Sequence, residues 1–305
     1  MIKIKEYSYK IFIYLISRSL TLIDILIKKI FNNNQFLPLI HDRIENKQYY
    51  SKAILNKKIF FFCPSAQTLG RVESLFTKEP ETLNWVNNFE LYNSNKIVFW
   101  DIGSNIGLYS IYAAIKFKDI EVIAFEPSTS NLRTLSRNIF INNLCDKVQI
   151  FPLPLSDEKN VVSFFKESNF FSEGGAGSNF NSNTDNAGNI LNIDKIGNKY
   201  KIYGTNIDYL IMNNIVKIPN YIKIDVDGIE HLILKGAKNL LKNNQLRELS
   251  IEMNRDYPEQ YKTINQIMKD NGFKNIVSTN AQLLKNKDHK LELNETVNAI
   301  FKRIE

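Results

Sequence analysis

Residues 97–117, IVFWDIGSNIGLYSIYAAIKF, place an apolar strand, a glycine loop and a helix in immediate succession. The strand candidate, residues 97–103, is a continuous apolar run that ends in an acid and a glycine. Residues 109–117 then carry apolar side chains at helical spacing. A strand that leads through such a loop into a helix is typical of parallel sheets, whose ligands bind beyond the carboxyl ends of the strands.

The same alternation of strand and helix continues to the end of the chain. Apolar runs that end near an acid or a turn predict strands, and segments of helical periodicity separate most of them. The pattern predicts an α/β fold, a Rossmann-like doubly wound sheet with helices on both faces. The predicted strands are 97–103, 121–127, 147–157, 221–228, 246–254, 274–278 and 298–304, and the predicted helices are 109–117, 131–143, 229–243 and 259–273.

The composition excludes several classes of protein. Of 305 residues, 44% are hydrophobic and 23% are charged, which is typical of globular proteins and not of disordered ones. Two cysteines, Cys63 and Cys145, exclude a disulfide-built fold and a Cys-rich zinc site, and a reducing, cytosolic compartment is the simplest interpretation. The net charge of +7 is spread along the chain, which favours a solvated surface over a nucleic-acid partner.

The N-terminal residues 1–45 are rich in Ile, Leu, Phe and Tyr, with a charged residue every few positions. No window reaches the ~18 uncharged apolar residues that a membrane-spanning helix needs, and no secretory cleavage site follows. The spacing predicts one or two amphipathic helices. These helices can pack on the protein's own core, pair with a second copy in a homodimer, or lie on an anionic membrane as a peripheral anchor.

Two further segments are distinctive. Residues 58–63, KIFFFC, predict a short strand, and residues 79–89 predict a helix with Pro80 in its first turn. Residues 166–200 contain GGAGSNFNSNTDNAGN, a composition typical of a loop. An insertion of this length can be a lid on the substrate side or a plain mobile segment, and both alternatives stay open.

The glycine loop D-I-G-S-N-I-G at 101–107 is the strongest functional signal. Gly103 and Gly107 let the backbone approach a ligand closely, and the next helix directs its free N–H groups towards the same place. The alternative is a tight turn without a ligand. G-x-N-x-G also differs from the G-x-G-x-x-G of dinucleotide sites, which argues against an NAD-dependent oxidoreductase.

Acids follow the next two predicted strands. Glu126 lies 25 residues after Asp101, and a carboxylate there can accept hydrogen bonds from both hydroxyls of a ribose. Asp157 follows the third strand and can accept a hydrogen bond from an adenine amino group. The alternatives are a strand-end cap for Glu126 and a turn for Asp157.

A cluster of charged residues ends the fourth strand, where Lys223, Asp225 and Asp227 alternate with apolar residues and would share one side of a strand. Asp225 is the first candidate for contacting a substrate hydroxyl, because a carboxylate can act as a general base. Alternatively, Lys223 simply neutralises Asp225, while Asp227 and Glu230 cap the following helix. His231 is more easily explained as a helix-face residue than as a base.

Six blocks of the sequence resemble the FkbM-type methyltransferases, a family of class I S-adenosylmethionine-dependent enzymes. They are VFWDIGSNIGLYSIYAA, VIAFEPSTSNLRTLSRNIFINN, IFPLPLSD, YIKIDVDGIEHLILKGA, LSIEMN and NAIFKRI, and they lie in the family's order within 96–304. The resemblance implies a seven-stranded sheet, mostly parallel with its last strand antiparallel. It also implies S-adenosyl-L-methionine as cofactor and O-methylation of a hydroxyl.

The resemblance also implies roles for particular residues. Four of them fall on the family's cofactor loop, Glu126 falls on its ribose-binding acid, and Asp157 falls on the adenine side. KIDVDG at 223–228 stands where the family usually has KIDVEG, so Asp227 is a shorter acid than the usual Glu. Lys223, Asp225 and Asp227 are therefore the catalytic candidates. The four loop residues are Asp101, Gly103, Asn105 and Gly107.

We therefore expect a methyltransferase domain at 96–305 with a flexible insertion at 166–200, preceded by a helical extension at 1–60 and a strand–helix segment at 61–95. The expected acceptor is a hydroxyl of a small molecule or glycan, from a glycan or glycolipid precursor. No metal and no nucleic-acid partner are expected, and the expected location is the cytoplasm or the inner face of the membrane. The alternatives are an inactive cofactor-binding scaffold and an NAD-dependent oxidoreductase.

Overall fold

The structure, a computed structural model, describes residues 2–32, 34–91, 96–167, 172–190, 198–278, 283–285, 291–293 and 296–304. The chain divides into two compact units, residues 1–49 and residues 50–305. The first unit contains α1 (Ile2–Phe31) and α2 (Phe36–Glu45). No described helix is both long enough and apolar enough to cross a membrane.

A hairpin begins where the predicted helical extension was expected to continue. Residues 49–60, part of that extension, lie in two paired strands, β1 (Tyr49–Ile54) and β2 (Lys57–Phe62). Leu55 and Asn56 join them with φ values of 48° and 63°. Two left-handed residues match the twist of a two-residue hairpin turn, and asparagine tolerates that conformation well. The strand predicted at 58–63 is thus confirmed, and the helical extension is wrong in its last residues.

The remaining elements of the second unit alternate strand and helix as the sequence predicts. The helix predicted at 79–89 is present, with its proline at the first helical position. In chain order the elements are α3 (Ala66–Glu73), α4 (Pro80–Asn87), β3 (Ile97–Ile102), α5 (Leu108–Lys116), β4 (Ile120–Phe125), α6 (Thr129–Ile141), β5 (Val148–Phe151), β6 (Val161–Lys166), β7 (Asn179–Phe180), β8 (Lys199–Gly204), α7 (Ile207–Met212), β9 (Tyr221–Ile224), α8 (Glu230–Lys235), a 3₁₀ turn (Leu240–Lys242), β10 (Glu248–Asn254), α9 (Pro258–Asp270), β11 (Phe273–Ser278), β12 (Leu283–Lys285), β13 (Leu291–Leu293) and β14 (Thr296–Arg303).

Seven strands form the main sheet in the order β11-β14-β10-β9-β3-β4-β5. The pairs β10·β9, β9·β3, β3·β4 and β4·β5 are parallel, while β14 is antiparallel to both of its neighbours. The fold class is therefore confirmed, including the antiparallel last strand. The order reverses between β9 and β3, and open α/β sheets bind their ligands at such a point.

Alternate residues of β3 enter two different apolar clusters, one on each face of the sheet. Phe99 packs with Trp85 of α4 and Ile111 of α5, whereas Trp100 packs with Leu210 of α7 and Ile264 of α9. Because successive side chains of a strand point to opposite faces, this pattern requires helices on both sides. Burial on both faces fixes the strand and therefore the loop that follows it.

Three predicted elements are shorter than expected, namely the strands at 147–157 and 221–228 and the helix at 229–243, and part of the insertion forms a strand. The third strand ends at Phe151 and not at residue 157, because Pro152 and Pro154 lack the N–H that a ladder needs. The helix predicted at 229–243 stops at Gly236 and resumes as a 3₁₀ turn. Part of the 166–200 insertion forms β7, which pairs with one edge of β6 while β8 pairs with the other. Residues 168–171 and 191–197 of the insertion lie outside the described residues.

Candidate active site

The loop after β3 has a backbone that requires its glycines. Gly103 and Gly107 have φ values of 82° and 86°, in the left-handed region. A Cβ on Gly103 would lie 1.9 Å from the Asp225 carbonyl oxygen, and one on Gly107 would lie 2.5 Å from the Leu135 Cδ1. The loop therefore packs directly against the end of β9 and against α6, which no other residue type would allow at these positions.

Asp101 supports this loop from within the protein. Its Oδ2 accepts hydrogen bonds from the backbone N–H of Ser110 (3.1 Å) and from its hydroxyl (2.6 Å), which ties β3 to the first turns of α5. Its Oδ1 is buried and has no hydrogen-bond partner in the described part of the chain. Burial raises the pKa of Asp101, although the charge of Lys223 opposes the effect.

Glu126, directly after β4, faces the same loop. Its two carboxylate oxygens accept hydrogen bonds from the backbone N–H groups of Asn105 (2.7 Å) and Ser128 (2.8 Å). The side chain is buried, and burial raises its pKa to about 8. The Asn131 side chain also hydrogen-bonds to this carboxylate, and the ribose prediction relies on the lone pairs that remain.

Glu126 lies on the wall of an elongated cavity, here the cofactor cavity, above the carboxyl ends of β3, β4 and β9. Its polar wall includes Asn105, Glu126 and Asn131, and aromatic and aliphatic side chains form most of the rest. Such a mostly apolar slot with a few convergent polar groups is typical of small-molecule sites. The apolar lining includes Ile102, Phe125, Leu153, Leu155, Phe165, Phe180, Ile229 and Ile233.

Asp157 is not brought to the cofactor cavity, contrary to its predicted place on the adenine side. Because β5 ends at Phe151, Leu153 and Leu155 reach the cavity wall instead. Asp157 is exposed, and its Cα packs beside Gly236 at the end of α8. The sequence predicted a strand that ends at Asp157, but the two prolines end this strand six residues earlier, at Phe151.

The buried Lys223 forms an ion pair with the half-buried Asp225, with an Nζ–Oδ2 distance of 2.5 Å. Burial alone would raise the pKa of Asp225, but the Lys223 ammonium holds it below its ordinary value. In turn, Asp225 raises the pKa of Lys223 despite burial, and Glu79 and Asp101 add to this effect. Lys223 also lies 4.9 Å from the centre of the Tyr109 ring. Asp225 is thus ionised, paired and fixed in position.

Asp227 differs from Asp225 in both conformation and environment. β9 ends at Ile224, so the strand alternation that would place the three residues on one side does not apply to 225–227. Asp227 has φ 60°, and its Oδ2 accepts a hydrogen bond from the Gly177 N–H (2.7 Å). Burial and the negative charge of Asp225 raise its pKa to about 6.

Glu230 holds the loop between β9 and α8. Its Oε1 accepts from the backbone N–H groups of Val226 (3.0 Å) and Gly228 (3.2 Å), and Gln260 donates to its Oε2 (2.5 Å). Burial raises its pKa to about 7. His231 is buried on α8, with its ring edge-on to Tyr257, and lines none of the cavities described here. Its position is that of a helix-face residue.

A second cavity, here the Arg71 cavity, adjoins the first and contains residues that the sequence did not indicate. It shares Gly103, Asn105 and Asp225 with the cofactor cavity. Arg71 of α3 lies on its far wall, and its Nε donates to the Gly174 carbonyl (2.5 Å). The further lining includes Ser74, Lys78, Glu79, Tyr109 and Lys223.

Glu79 and Glu252 were missed because nothing in their sequence neighbourhood marks them. Glu79 is buried, accepts a hydrogen bond from the Tyr109 hydroxyl (2.8 Å) and pairs with Lys78 (2.8 Å). Burial and the charge of Asp225 raise the pKa of Glu252 well above its ordinary value. The stretch KEPET at 78–82 contains Glu79, but it was used only to predict the helix at 79–89 and did not mark Glu79 as a site residue.

The described part of the insertion folds over these cavities. Arg71 donates to the carbonyl of Gly174, Asn105 Nδ2 donates to that of Gly175 (2.7 Å), and the Gly177 N–H donates to Asp227. A third cavity, here the Asp185 cavity, opens beyond this segment. Asn179 and Asp227 line both this cavity and the cofactor cavity. The full lining of the Asp185 cavity is Lys166, Ala176, Gly177, Asn179, Asp185, Asn186 and Asp227.

Comparison with known proteins assigns the family. Residues 101–274 match the model of the methyltransferase FkbM domain, more than half of the chain. The protein belongs to the FkbM methyltransferase family. The resemblance predicted from the sequence is confirmed, and the matched region contains the glycine loop, Glu126 and the end of β9.

Individual relatives match over shorter regions. Methyltransferase sdnD of Sordaria araneosa is 38% identical over 62 residues, 20% of this chain and 24% of that protein. The AMB antimetabolite synthetase AmbE of Pseudomonas aeruginosa is 33% identical over 81 residues, 25% of this chain. The match spans only 4% of AmbE, so both relatives are much longer than the regions shared with this chain.

Among solved structures, an FkbM methyltransferase from Methylobacillus flagellatus KT is similar at 14% identity. The superposition covers 88% of this chain and 60% of that one, with a TM-score of 0.42. M. capricolum TrmK, determined with S-adenosyl-homocysteine, is similar at 12% identity over 72% of this chain and 67% of that one, with a TM-score of 0.40.

Membership of the FkbM family implies S-adenosylmethionine as the cofactor, as predicted, and the residues present fit it. Gly103 and Asn105 of the glycine loop line the cofactor cavity, and Glu126 offers a carboxylate to a ribose. The Oδ1 of Asn105 is buried without a partner among the described residues, beside the wall that both inner cavities share. A buried acceptor of this kind calls for a donor from a ligand.

Proposed function

We propose that this FkbM-family protein methylates a hydroxyl of a glycan or glycolipid precursor. When bound, S-adenosylmethionine supplies an activated methyl group on a sulfonium, so the protein's task is to hold donor and acceptor in line. The observation that carries the proposal is the pair of ionisable acids, Asp225 and Asp227, on the wall of the cofactor cavity. A neutral hydroxyl is a weak nucleophile, and a carboxylate within reach can take its proton.

The chain's own residues account for binding and orientation. Glu126 would accept the ribose hydroxyls while the backbone N–H groups of Asn105 and Ser128 keep its carboxylate in place. Leu153 and Leu155 lie on the cavity wall, unlike the exposed Asp157, and would pack against the adenine. The ion pair of the buried Lys223 with Asp225 fixes the end of β9, where the acceptor hydroxyl must arrive.

Transfer of a labelled methyl group tests this function. The full chain is incubated with methyl-labelled S-adenosylmethionine and three acceptor classes: glycans, a glycolipid extract and transfer RNA. We expect label in the glycan or glycolipid fraction as a base-stable methyl ether. Label in RNA alone would contradict the assignment of a glycan or glycolipid acceptor. Binding of the cofactor without transfer to any class would favour the inactive scaffold.

The N-terminal unit is the part of the chain that we propose to bind a membrane surface on the cytoplasmic side. Within α1, Lys10, Arg18, Lys28 and Lys29 outnumber Asp24, the one acid among the helix's described side chains. Large apolar side chains around the same helix are exposed. A helix with this combination lies in the interface of an anionic bilayer. The exposed apolar residues include Phe12, Tyr14, Leu15, Leu22, Leu26, Ile30 and Phe31.

Vesicle co-sedimentation distinguishes this proposal from the homodimer. The full chain should sediment with phosphatidylglycerol vesicles and much less with phosphatidylcholine vesicles. Reversing two charges with Lys28→Glu and Lys29→Glu should weaken binding by at least about 30-fold, because each of the two cations near the surface contributes about 1 kcal/mol and the new carboxylates add repulsion. Lys116→Glu, on α5, is the matched control and should bind as the wild type does. A dimer by light scattering with no preference for anionic lipid would contradict the proposal.

A further inference from the structure

Two carboxylates at the end of β9 reach the cofactor cavity, but only one is free to take a proton. Asp225 is ion-paired to Lys223 at 2.5 Å, so its negative charge is already balanced. Asp227 has one hydrogen-bond partner in the described part of the chain, the Gly177 N–H, and this partner binds Oδ2. Oδ1 of Asp227 is therefore available to accept a hydrogen bond from an incoming hydroxyl.

The cavity beyond Asp227 is placed to hold the molecule that carries this hydroxyl. Asp227 and Asn179 form part of the wall of both the cofactor cavity and the Asp185 cavity. A ligand in the Asp185 cavity would consequently meet the cofactor at these two side chains. The Arg71 cavity lies on the other side of Gly103 and Asp225, so it does not compete for the same ligand.

Asn179 adds an independent indication of a ligand. Its Nδ2 donates to the Thr184 carbonyl (2.7 Å), which fixes the amide, while its Oδ1 is buried and has no partner among the described residues. The whole residue is only 5% exposed. A buried amide oxygen without a donor is costly, and a ligand hydroxyl would satisfy it.

The charges of the Asp185 cavity favour an uncharged ligand. Lys166 is the one cation among the described residues of its wall, which also carries the carboxylates of Asp185 and Asp227. Asp185 also accepts hydrogen bonds from the backbone N–H groups of Ala187 and Asn189 (2.9 Å each), so it is held as an anion. Amides and carboxylates with no surplus of positive charge suit hydroxyl donors and oppose phosphate or carboxylate groups.

We propose that the Asp185 cavity binds a neutral, polyhydroxylated acceptor and that Asp227 is the general base for its methylation. This inference rests on the proposed function and assigns its acceptor site. The acceptor O–H proton passes to Oδ1 of Asp227 as the hydroxyl oxygen forms its bond to the methyl carbon. The carbon–sulfur bond of the sulfonium donor breaks with its electron pair on sulfur, which leaves a neutral thioether.

Binding is tested first, on the full chain in the presence of S-adenosylhomocysteine. Saturation-transfer NMR compares methyl glycosides of neutral hexoses and deoxyhexoses with the matched hexuronic acids. We expect binding of at least one neutral glycoside and weaker binding of its acid. Asn179→Ala should weaken that binding by about 10-fold, the usual effect of one buried hydrogen bond. Asn181→Ala, two residues away and bonded to Ser163 and Glu158, is the matched control and should bind normally.

Catalysis is tested next, with the glycoside that binds best. Asp227→Asn should lower kcat by about 100-fold or more, the usual contribution of a general base, while binding of the glycoside and of S-adenosylhomocysteine stays unchanged. Asparagine tolerates the left-handed backbone of this position, so the variant should fold. Asp185→Asn should instead raise KM with little effect on kcat.

Three results would overturn the inference while the cofactor still binds. They are an absence of binding by every neutral glycoside, a preference for the hexuronic acids, and a kcat of Asp227→Asn equal to that of the wild type. If the folded wild-type chain failed to bind S-adenosylhomocysteine, the proposed function itself would fail, and the inference would fall with it. Binding of S-adenosylhomocysteine in the same samples therefore distinguishes a failure of the acceptor site from a failure of the proposed function.

Discussion

The clearest test of the cofactor site is Glu126→Gln, because burial raises the pKa of Glu126 to about 8. Only the ionised carboxylate can accept hydrogen bonds from both ribose hydroxyls and from the N–H groups of Asn105 and Ser128 together. With a pKa of about 8, the ionised fraction rises about 25-fold between pH 6.5 and pH 8.5. We therefore expect the affinity for S-adenosylhomocysteine to rise with pH over this range.

Titration calorimetry at pH 6.5 and pH 8.5 measures the effect directly. At pH 8.5, Glu126→Gln should bind about 10- to 100-fold more weakly than the wild type, since one charge-assisted contact is worth about 1.5–3 kcal/mol. Its affinity should change little with pH. Glu121→Gln is the matched control, because Glu121 is a buried acid at the opposite end of the same strand, paired with Lys217 and Lys96.

The same pKa predicts the pH dependence of stability without ligand. An unfolded glutamate titrates near 4.5, so the raised folded pKa stabilises the folded state fully below pH 4.5 and progressively less as the pH rises to about 8. The loss is at most on the order of 5 kcal/mol. Urea unfolding of Glu126→Gln should lack this decline. Equal pH slopes of affinity in wild type and Glu126→Gln, or an equal loss of affinity in Glu121→Gln, would refute the reasoning.

Three further predictions follow from the contacts of single residues. Lys223→Met should lower the free energy of unfolding by about 3–5 kcal/mol in urea titrations, because it leaves buried carboxylates unpaired, whereas the exposed Lys217→Met should cost less than about 1 kcal/mol. Gly103→Ala should abolish S-adenosylhomocysteine binding, because its Cβ would meet backbone, whereas Gly177→Ala has open space and only the strain of a φ of 83°. Because the Arg71 cavity adjoins the cofactor cavity, we expect the carboxylate of S-adenosylhomocysteine to lie beside Arg71, so Arg71→Gln should weaken the binding of S-adenosylhomocysteine by about 10-fold and leave that of methylthioadenosine, which lacks the carboxylate, unchanged. An equal loss of unfolding free energy in the two lysine variants, an equal loss of affinity in the two glycine variants, or an equal loss of affinity for the two ligands in Arg71→Gln would contradict the corresponding prediction.

The strands of the sheet were predictable because local sequence determines them. A strand buried on both faces is apolar at most positions. The strands β3, β4 and β9, which form within the runs predicted at 97–103, 121–127 and 221–228, meet that condition with one charged residue in each, without reference to the rest of the chain. The glycine loop was predictable for the same reason, since its backbone conformation excludes other residues. Glu126 followed from its place directly after such a strand.

Other parts of the site could not be predicted, because they depend on contacts between distant residues. Asp157 was misplaced when two prolines ended its strand early. Arg71, Glu79 and the segment at 172–177 reach the cavities only through the fold, because all of them lie outside the six recognised blocks, 15 to 27 residues from the nearest one. Neither the spacing nor the composition of the sequence indicates that these residues lie close to the site. The hairpin at 49–62 was missed because its turn residues, Leu55 and Asn56, are not the usual glycine pair.

The buried Lys223 explains how the site keeps two carboxylates in different states. Asp225 raises the pKa of both Asp227 and Glu252, and Asp227 adds to the rise at Glu252. The ammonium of Lys223 pairs with Asp225, which stays ionised, whereas burial and the charge of Asp225 raise the pKa of Asp227. Two acids of the same type, two residues apart, thereby acquire different proton affinities. If β9 continued through residue 227, the carboxylates of Asp225 and Asp227 would both lie on the same side of the strand as Lys223, and their proton affinities would be similar. The end of β9 at Ile224 is therefore one cause of the difference between the two acids on which our proposal depends.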